Sequence, residues 1–294
     1  MTVIEPTQRR ERDLLLAFAA FAVAVLLWQI DGFSLLTYPL RLFVTAIHEL
    51  GHGLAAILTG GSFLHFEVGR HGAGLAYTRG GSQFIILQAG YLGTALFGAG
   101  LLLLTHATRR PGPSAVALGG LLALLSVLFS GLRPAELSAL EILLTGGVFV
   151  AGAALIVTRE SGPGRAIGAG LLALGALLLL TFAGTENSLR TLGVGVLSGL
   201  ALILLGWRGQ RDVVLVVLYF LAFLTGLQAL TDAWTLLKIV SAPGLMPVND
   251  AQLMAGAYGG SAELWAVVWI ALDVLIFGSA IYLAFIRKRG AKSS

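Results

Sequence analysis

The sequence predicts an all-α polytopic membrane protein of about 8–9 transmembrane helices, with one small β-hairpin after the second apolar segment. Three observations predict it. The 294 residues are 57% hydrophobic and only 12% charged, with a mean hydropathy of +0.89, far from the balance of a soluble globular chain. Apolar runs of about 20 residues, the length that crosses a hydrocarbon core, recur along nearly the whole sequence. The charges gather in the short connections, at Arg109-Arg110-Pro111, Arg159-Glu160, Arg208 to Asp212, and the tail Arg287-Lys288-Arg289.

The first apolar run, 14–30, follows Arg9, Arg10 and Arg12. No small-residue cleavage site follows it, so it reads as a retained helix rather than a signal peptide. The second run covers 34–59. Between Gly60 and Ser82 the helical pattern stops. Ser62-Phe63-Leu64-His65-Phe66-Glu67-Val68 alternates as a half-buried strand does, Gly69 to Gly74 is turn chemistry, and Leu75-Ala76-Tyr77-Thr78 returns as a second strand. Further apolar segments cover 83–105, 114–130, 137–157, 165–183, 191–207, 213–237 and 262–286. The whole is read as one membrane domain, 1–294: a cytoplasmic tail 1–13, a core 34–105 with the hairpin 60–82, additional helices 106–211, C-terminal helices 212–286, and a basic tail 287–294. The glycines, 39 in all, read as close helix packing, among them Gly90, Gly93 and Gly98, and Gly193, Gly195 and Gly199.

Orientation follows from the basic residues. If all nine segments cross, Lys and Arg are nearly balanced between the two sides. If one segment before Thr105 does not cross, they concentrate on the side of both termini, as cytoplasmic loops require. The second arrangement predicts an irregularity near residues 34–82. The basic balance, net charge +4, lies in loops and tail and does not imply nucleic acid. The absence of cysteine removes disulfides, thiolate metal ligands and cysteine nucleophiles together.

Inside the second apolar run stands His48-Glu49-Leu50-Gly51-His52. Residues four apart share a helix face, so His48 and His52 can offer two imidazole nitrogens to one Zn²⁺. Glu49 lies about 100° round the helix, beside the ion rather than on it, where a general base acting on a metal-activated water belongs. Ionisable residues inside a span are rare and usually functional.

A hydrolytic zinc keeps three protein ligands and an open position. His65 and His71 fall in the hairpin and His106 ends a span, so a carboxylate is the expected third donor. Asp250, in Asn249-Asp250-Ala251-Gln252, is the first candidate, entering on a partly unwound segment; the competing reading is a helix N-cap. Asp232, deep in an apolar run, is the runner-up. Asp273 is expected to pair with Arg41 or bond a neighbouring helix, Glu263 to be a first-turn acid, and Glu141 has no assigned role.

The motif with its trailing Gly53, Ala55 and Ala56, Gly60-Gly61 at the helix end, the hairpin bounded by Gly80-Gly81, and Gln88-Ala89-Gly90-Tyr91-Leu92-Gly93 together resemble the site-2 protease family of intramembrane zinc metalloproteases, in its compact bacterial branch. The resemblance covers about residues 40–105, with a shorter match at Asn249-Asp250-Ala251. It implies hydrolysis of membrane-spanning protein substrates, zinc on His48 and His52, Glu49 as catalytic base, and a distant Asp completing the site. The chain departs from better-known members in lacking their Leu-Asp-Gly-like motif with a preceding Asn-Pro, and it has no inserted PDZ-like domain.

The expected function is therefore that of an intramembrane zinc metalloendopeptidase. Its partners would be the lipid bilayer and a membrane protein or peptide substrate, with no nucleic acid, and its place the inner (cytoplasmic) membrane of a bacterial cell. The alternative is an inactive scaffold or binding protein on the same fold. An ion transporter would call for an internal repeat with interrupted helices, and none is visible.

Overall fold

The computed structural model describes residues 6–29, 34–131, 148, 151, 187–242 and 248–287. It is mostly helical. Helices α1 (Pro6–Gln29) and α2 (Ser34–Leu58) precede strands β1 (Ser62–Val68) and β2 (Gly74–Arg79), and α3 (Gln83–Ala107) and α4 (Pro111–Phe129) follow. After the undescribed stretch come α5 (Asn187–Arg208), α6 (Arg211–Val240), the short α7 (Asp250–Tyr258) and α8 (Ala262–Ile281), which ends in a π-helical turn, Tyr282–Ile286. Among the described residues, five helices are long and apolar enough to cross a membrane: α3, α4, α5, α6, and α8 with its π turn. These make the chain an integral membrane protein. The expected segments 137–157 and 165–183, apart from positions 148 and 151, lie outside the described residues, as does Glu141.

α6 is the central post. Its buried Leu215, Leu218, Tyr219 and Ala222 meet Ala20 and Ala24 of α1, Leu101 and Leu102 of α3, and Phe277 of α8. Small residues set the closest crossings: a Cβ at Gly98 of α3 would lie 2.7 Å from the backbone nitrogen of Gly226 in α6. At the loop end of α6, Arg211 holds Asp13 of α1 at 2.9 Å and Arg12 holds Asp212. α4 and α5 pair through glycines in the same way. A Cβ at Gly119 would stand 2.4 Å from the Gly199 carbonyl oxygen, and one at Gly199 would stand 2.5 Å from that of Gly119. Gly112 and Gly206 repeat the arrangement one end along. The packing role expected of Gly195 and Gly199 is what these contacts show.

The expected hairpin is present. β1 and β2 pair antiparallel from Ser62 opposite Arg79 to Val68 opposite Gly74, with a bulge at Leu64. One extra residue shifts the two-residue alternation by one step. Phe63 therefore points inward before the bulge, and Phe66 and Val68 after it. Phe63 stacks on Phe129 of α4, centroids 4.3 Å apart. Gly72, at φ +85°, makes the turn. Among the described residues β2 has a strand neighbour on one edge only, and most of it is exposed.

Candidate metal centre

α2 sets the two imidazoles one above the other, ring centroids 4.9 Å apart. Both face Gly90 of α3. A Cβ at position 90 would stand 2.2 Å from Nε2 of His48 and 2.4 Å from Nε2 of His52, so a residue without a side chain leaves both nitrogens open. The helices can approach this closely because Gly51, between the histidines, lies against the α3 backbone; a Cβ there would meet the Ala89 carbonyl oxygen at 2.2 Å. Nδ1 of His52 lies 2.7 Å from the carbonyl oxygen of Ile86. A carbonyl only accepts, so Nδ1 carries the proton and the Nε2 lone pair is left for a ligand.

Asp250 comes from the far end of the chain. α7 starts with a capping box: the Gln252 amide donates to Asn249 Oδ1 at 3.1 Å, and the Asn249 amide donates to Gln252 Oε1 at 3.3 Å. Asn249 thus does the capping, and the carboxylate of Asp250 points away from the helix end. Its Oδ2 lies 3.6 Å from Nε2 of both His48 and His52. Ala251 and Met254, fully buried against Leu87, Leu236 and Trp269, fix α7 in place. The cap, weighed against a ligand role for Asp250 in the sequence, falls to Asn249, and Asp250 opens a regular helix rather than an unwound segment.

The three donors lie within 4.8 Å of one another. Zinc bonds of about 2.0–2.1 Å in tetrahedral array place donor atoms about 3.4 Å apart, so the 3.6 Å separations and the open space before Gly90 fit such an ion. Burial pushes the Asp250 carboxyl up, but the two imidazoles outweigh it and hold the group well below the usual carboxylate range.

Glu49 is 5% exposed and is covered by the hairpin rather than by a helix. A Cβ at Gly74 would stand 2.3 Å from Glu49 Oε1, and the backbone of Ala76 is within hydrogen-bonding reach of the same carboxylate. α2 holds the turn over its own glutamate: the Thr45 hydroxyl donates to the Gly72 carbonyl at 2.8 Å, and the Tyr38 hydroxyl to that of Arg70 at 2.9 Å.

The remaining candidates fall elsewhere. Asp232 of α6 accepts from Gln228 one turn back at 2.7 Å and is not among the three converging donors. His65 stacks on Tyr77 in the hairpin, His71 is exposed in the turn, and His106 packs on Phe285. Glu263 sits in the first turn of α8 behind the Ser261 cap. Among the described residues the pairing expected of Asp273 is absent: it is fully buried, and neither carboxylate oxygen has a hydrogen-bond partner there.

The sequence model of the Peptidase M50B-like family matches residues 16–156 and 147–280. The chain belongs to the Peptidase M50B-like family. This is a family of zinc metallopeptidases, in line with the site-2 protease resemblance. No curated protein and no solved structure matches the chain. In this M50B-like chain three neighbours of the site were missed. Gly90, read only as a packing residue, faces the ligand nitrogens. Gly74, read as turn chemistry, lies on Glu49. Tyr91 packs edge-on against His48 at 4.7 Å and stacks on Trp269 at 5.1 Å. Gly90 and Tyr91 belong to the Gln88–Gly93 run, whose likeness to the family was the available signal.

Proposed function

We propose that the chain is a zinc-dependent intramembrane endopeptidase, acting on membrane-embedded protein segments in the cytoplasmic membrane of a bacterial cell. The observation that carries this is the convergence of His48, His52 and Asp250 beside a buried Glu49, within a peptidase family. His48, His52 and Asp250 would hold the ion. Bound there, zinc acts as a Lewis acid that makes water available as a nucleophile near neutral pH.

The residues of the chain do the rest. Glu49 takes a proton from the attacking water and hands it to the departing amine as the carbon–nitrogen bond breaks. The hairpin covers Glu49 on the side away from the histidines and limits water to what the reaction uses. A transmembrane helix hides its carbonyls in its own hydrogen bonds, so a substrate must be extended before it is cut. The unpaired edge of β2 suits an extended chain, which can add to it as a strand.

The alternative, an inactive scaffold on the same fold, drew on the missing Leu-Asp-Gly-like motif. Asp250 supplies at this site the donor that motif was expected to supply. The deciding experiment measures zinc in the detergent-purified protein together with cleavage of a membrane-spanning test substrate. One zinc per chain is expected in the wild type and in Asp232→Ala, and much weaker retention in Asp250→Ala. Glu49→Gln is expected to keep the metal and lose cleavage by about 10²–10⁴-fold, the range for a general base. Zinc lost only in Asp232→Ala would move the third ligand. Full cleavage by Glu49→Gln would overturn the mechanism, and a wild type that binds no zinc on add-back would favour the scaffold.

A further inference from the structure

The last residue of β1 is fastened to a helix from another part of the chain. The Val68 amide donates to the Thr191 hydroxyl at 2.7 Å, and Arg190 Nη1 donates to the Val68 carbonyl at 3.0 Å. Asn187 donates to Glu67 at 3.0 Å and accepts from Arg190 Nη1 at 2.8 Å. Thr191 also donates to the Asn187 carbonyl at 2.9 Å, which fixes its hydroxyl to accept from Val68. The first turn of α5 thus grips both backbone groups of one strand residue. Arg190 is 5% exposed. Burying a guanidinium is costly unless its donors are used, and here Nη1 is shared between the Val68 carbonyl of the hairpin and Asn187 of its own helix.

Val68 is the register partner of Gly74, and Gly74 is the point at which β2 rests on Glu49. The route from α5 to the glutamate is therefore short: Arg190 and Thr191 to Val68, across one strand pair to Gly74, then to Glu49. The opposite side of the turn is tied by Tyr38 and Thr45 to α2, the helix that carries Glu49. β1 is also packed into the core through Phe63, Phe66 and Val68, with Phe63 stacked on Phe129 of α4, and the clasp adds a polar anchor at the end of the strand next to Gly74. α5 is itself locked backbone to backbone against α4, so the anchor is rigid.

We propose that Arg190, Thr191 and Asn187 form a clasp that positions the hairpin over Glu49, and so sets how closely Gly74 of β2 rests on the glutamate. None of the three touches the metal ligands; they are positioning residues. The catalytic consequence rests on the peptidase reading above, whereas the placement of the hairpin does not.

The chain has no cysteine, so two can be introduced for spin labels. Leu58→Cys, at the exposed end of α2, and Leu75→Cys, on the exposed face of β2, are 84% and 54% solvent-accessible positions. The label-to-label distance distribution is measured in the zinc-loaded, full-length protein by double electron–electron resonance. With the clasp intact a narrow distribution is expected. Arg190→Ala and the near-isosteric Thr191→Val are expected to broaden it while zinc content stays at the wild-type level, and Arg190→Lys to restore it in part. In the cleavage assay Arg190→Ala is expected to lower turnover by roughly 10–100-fold, the scale of a misplacement of about 1 Å. Distributions that superimpose on the wild type in both Arg190→Ala and Thr191→Val would overturn the clasp. So would broadening that appears only together with loss of zinc, since that reports general unfolding. If the wild type lacks zinc or activity, the peptidase reading fails while the distance comparison still decides the clasp.

Discussion

Glu49 has two neighbours built in different ways. On one side, His48, His52 and Asp250 are presented by helices α2 and α7, each held by apolar packing and, for α7, by a capping box. On the other side the covering surface is strand backbone, a two-stranded ribbon held at its turn and its end by side-chain hydrogen bonds from α2 and α5. An isolated two-stranded hairpin is marginal on its own, whereas a packed helix is not. The difference is one of depth: the helical donors stand on packed faces, whereas of the roof only β1 is packed into the core, and β2, which lies on Glu49, is mostly exposed.

Three substitutions sharpen the contrast. Gly90→Ala strikes the helical side hardest. Alanine favours a helix over glycine by up to about 1 kcal/mol, so α3 should not weaken, yet the new methyl would lie 2.2 Å from His48 Nε2. Zinc affinity is expected to fall by about 10–100-fold, the loss typical when the surroundings of ligating histidines are disturbed, and calorimetric titration of zinc would show it. A Gly90→Ala protein with wild-type affinity would mean that the ligands do not face α3.

Gly74→Ala strikes the roof. Its backbone is not in the left-handed region, so the added methyl acts only by pressing on Glu49. Turnover should drop on the order of tenfold with zinc affinity unchanged. A parallel loss of zinc would show that the two sides are not independent. The smallest effect belongs to Asn249→Ala. Removing the cap costs about 1 kcal/mol and loosens the start of α7, so zinc should bind roughly fivefold more weakly, by the same titration. An effect as large as that of Asp250→Ala would make Asn249 a ligand rather than a cap.

The helical side was the legible one. His48, Glu49 and His52 are read directly from four-residue spacing, because their geometry lies within one helix. For the third donor the sequence puts Asp250 first and Asp232 second without deciding between them. What separates them is whether Asn249 takes the cap and whether α7 docks on Trp269 and Leu236, both matters of tertiary packing. The hairpin's existence was legible from alternation and glycine punctuation, but its fastening was not. Asn187, Arg190 and Thr191 bear no signature, and their partner Val68 lies more than a hundred positions away. Asp273 shows the opposite failure: a buried carboxylate suggested a partner, and none stands among the described residues.

His52 divides its two nitrogens between different tasks. Nε2 faces the ligand space, while Nδ1 holds the carbonyl of Ile86 in the first turn of α3. A ligand that orients one nitrogen therefore orients the other, and the grip of α2 on α3 tightens with occupancy. Anything bound only by the folded form adds to its stability in proportion to the logarithm of its free concentration. A metal held as proposed would place part of that gain at the seam between α2 and α3, bracing the membrane bundle as well as serving the chemistry.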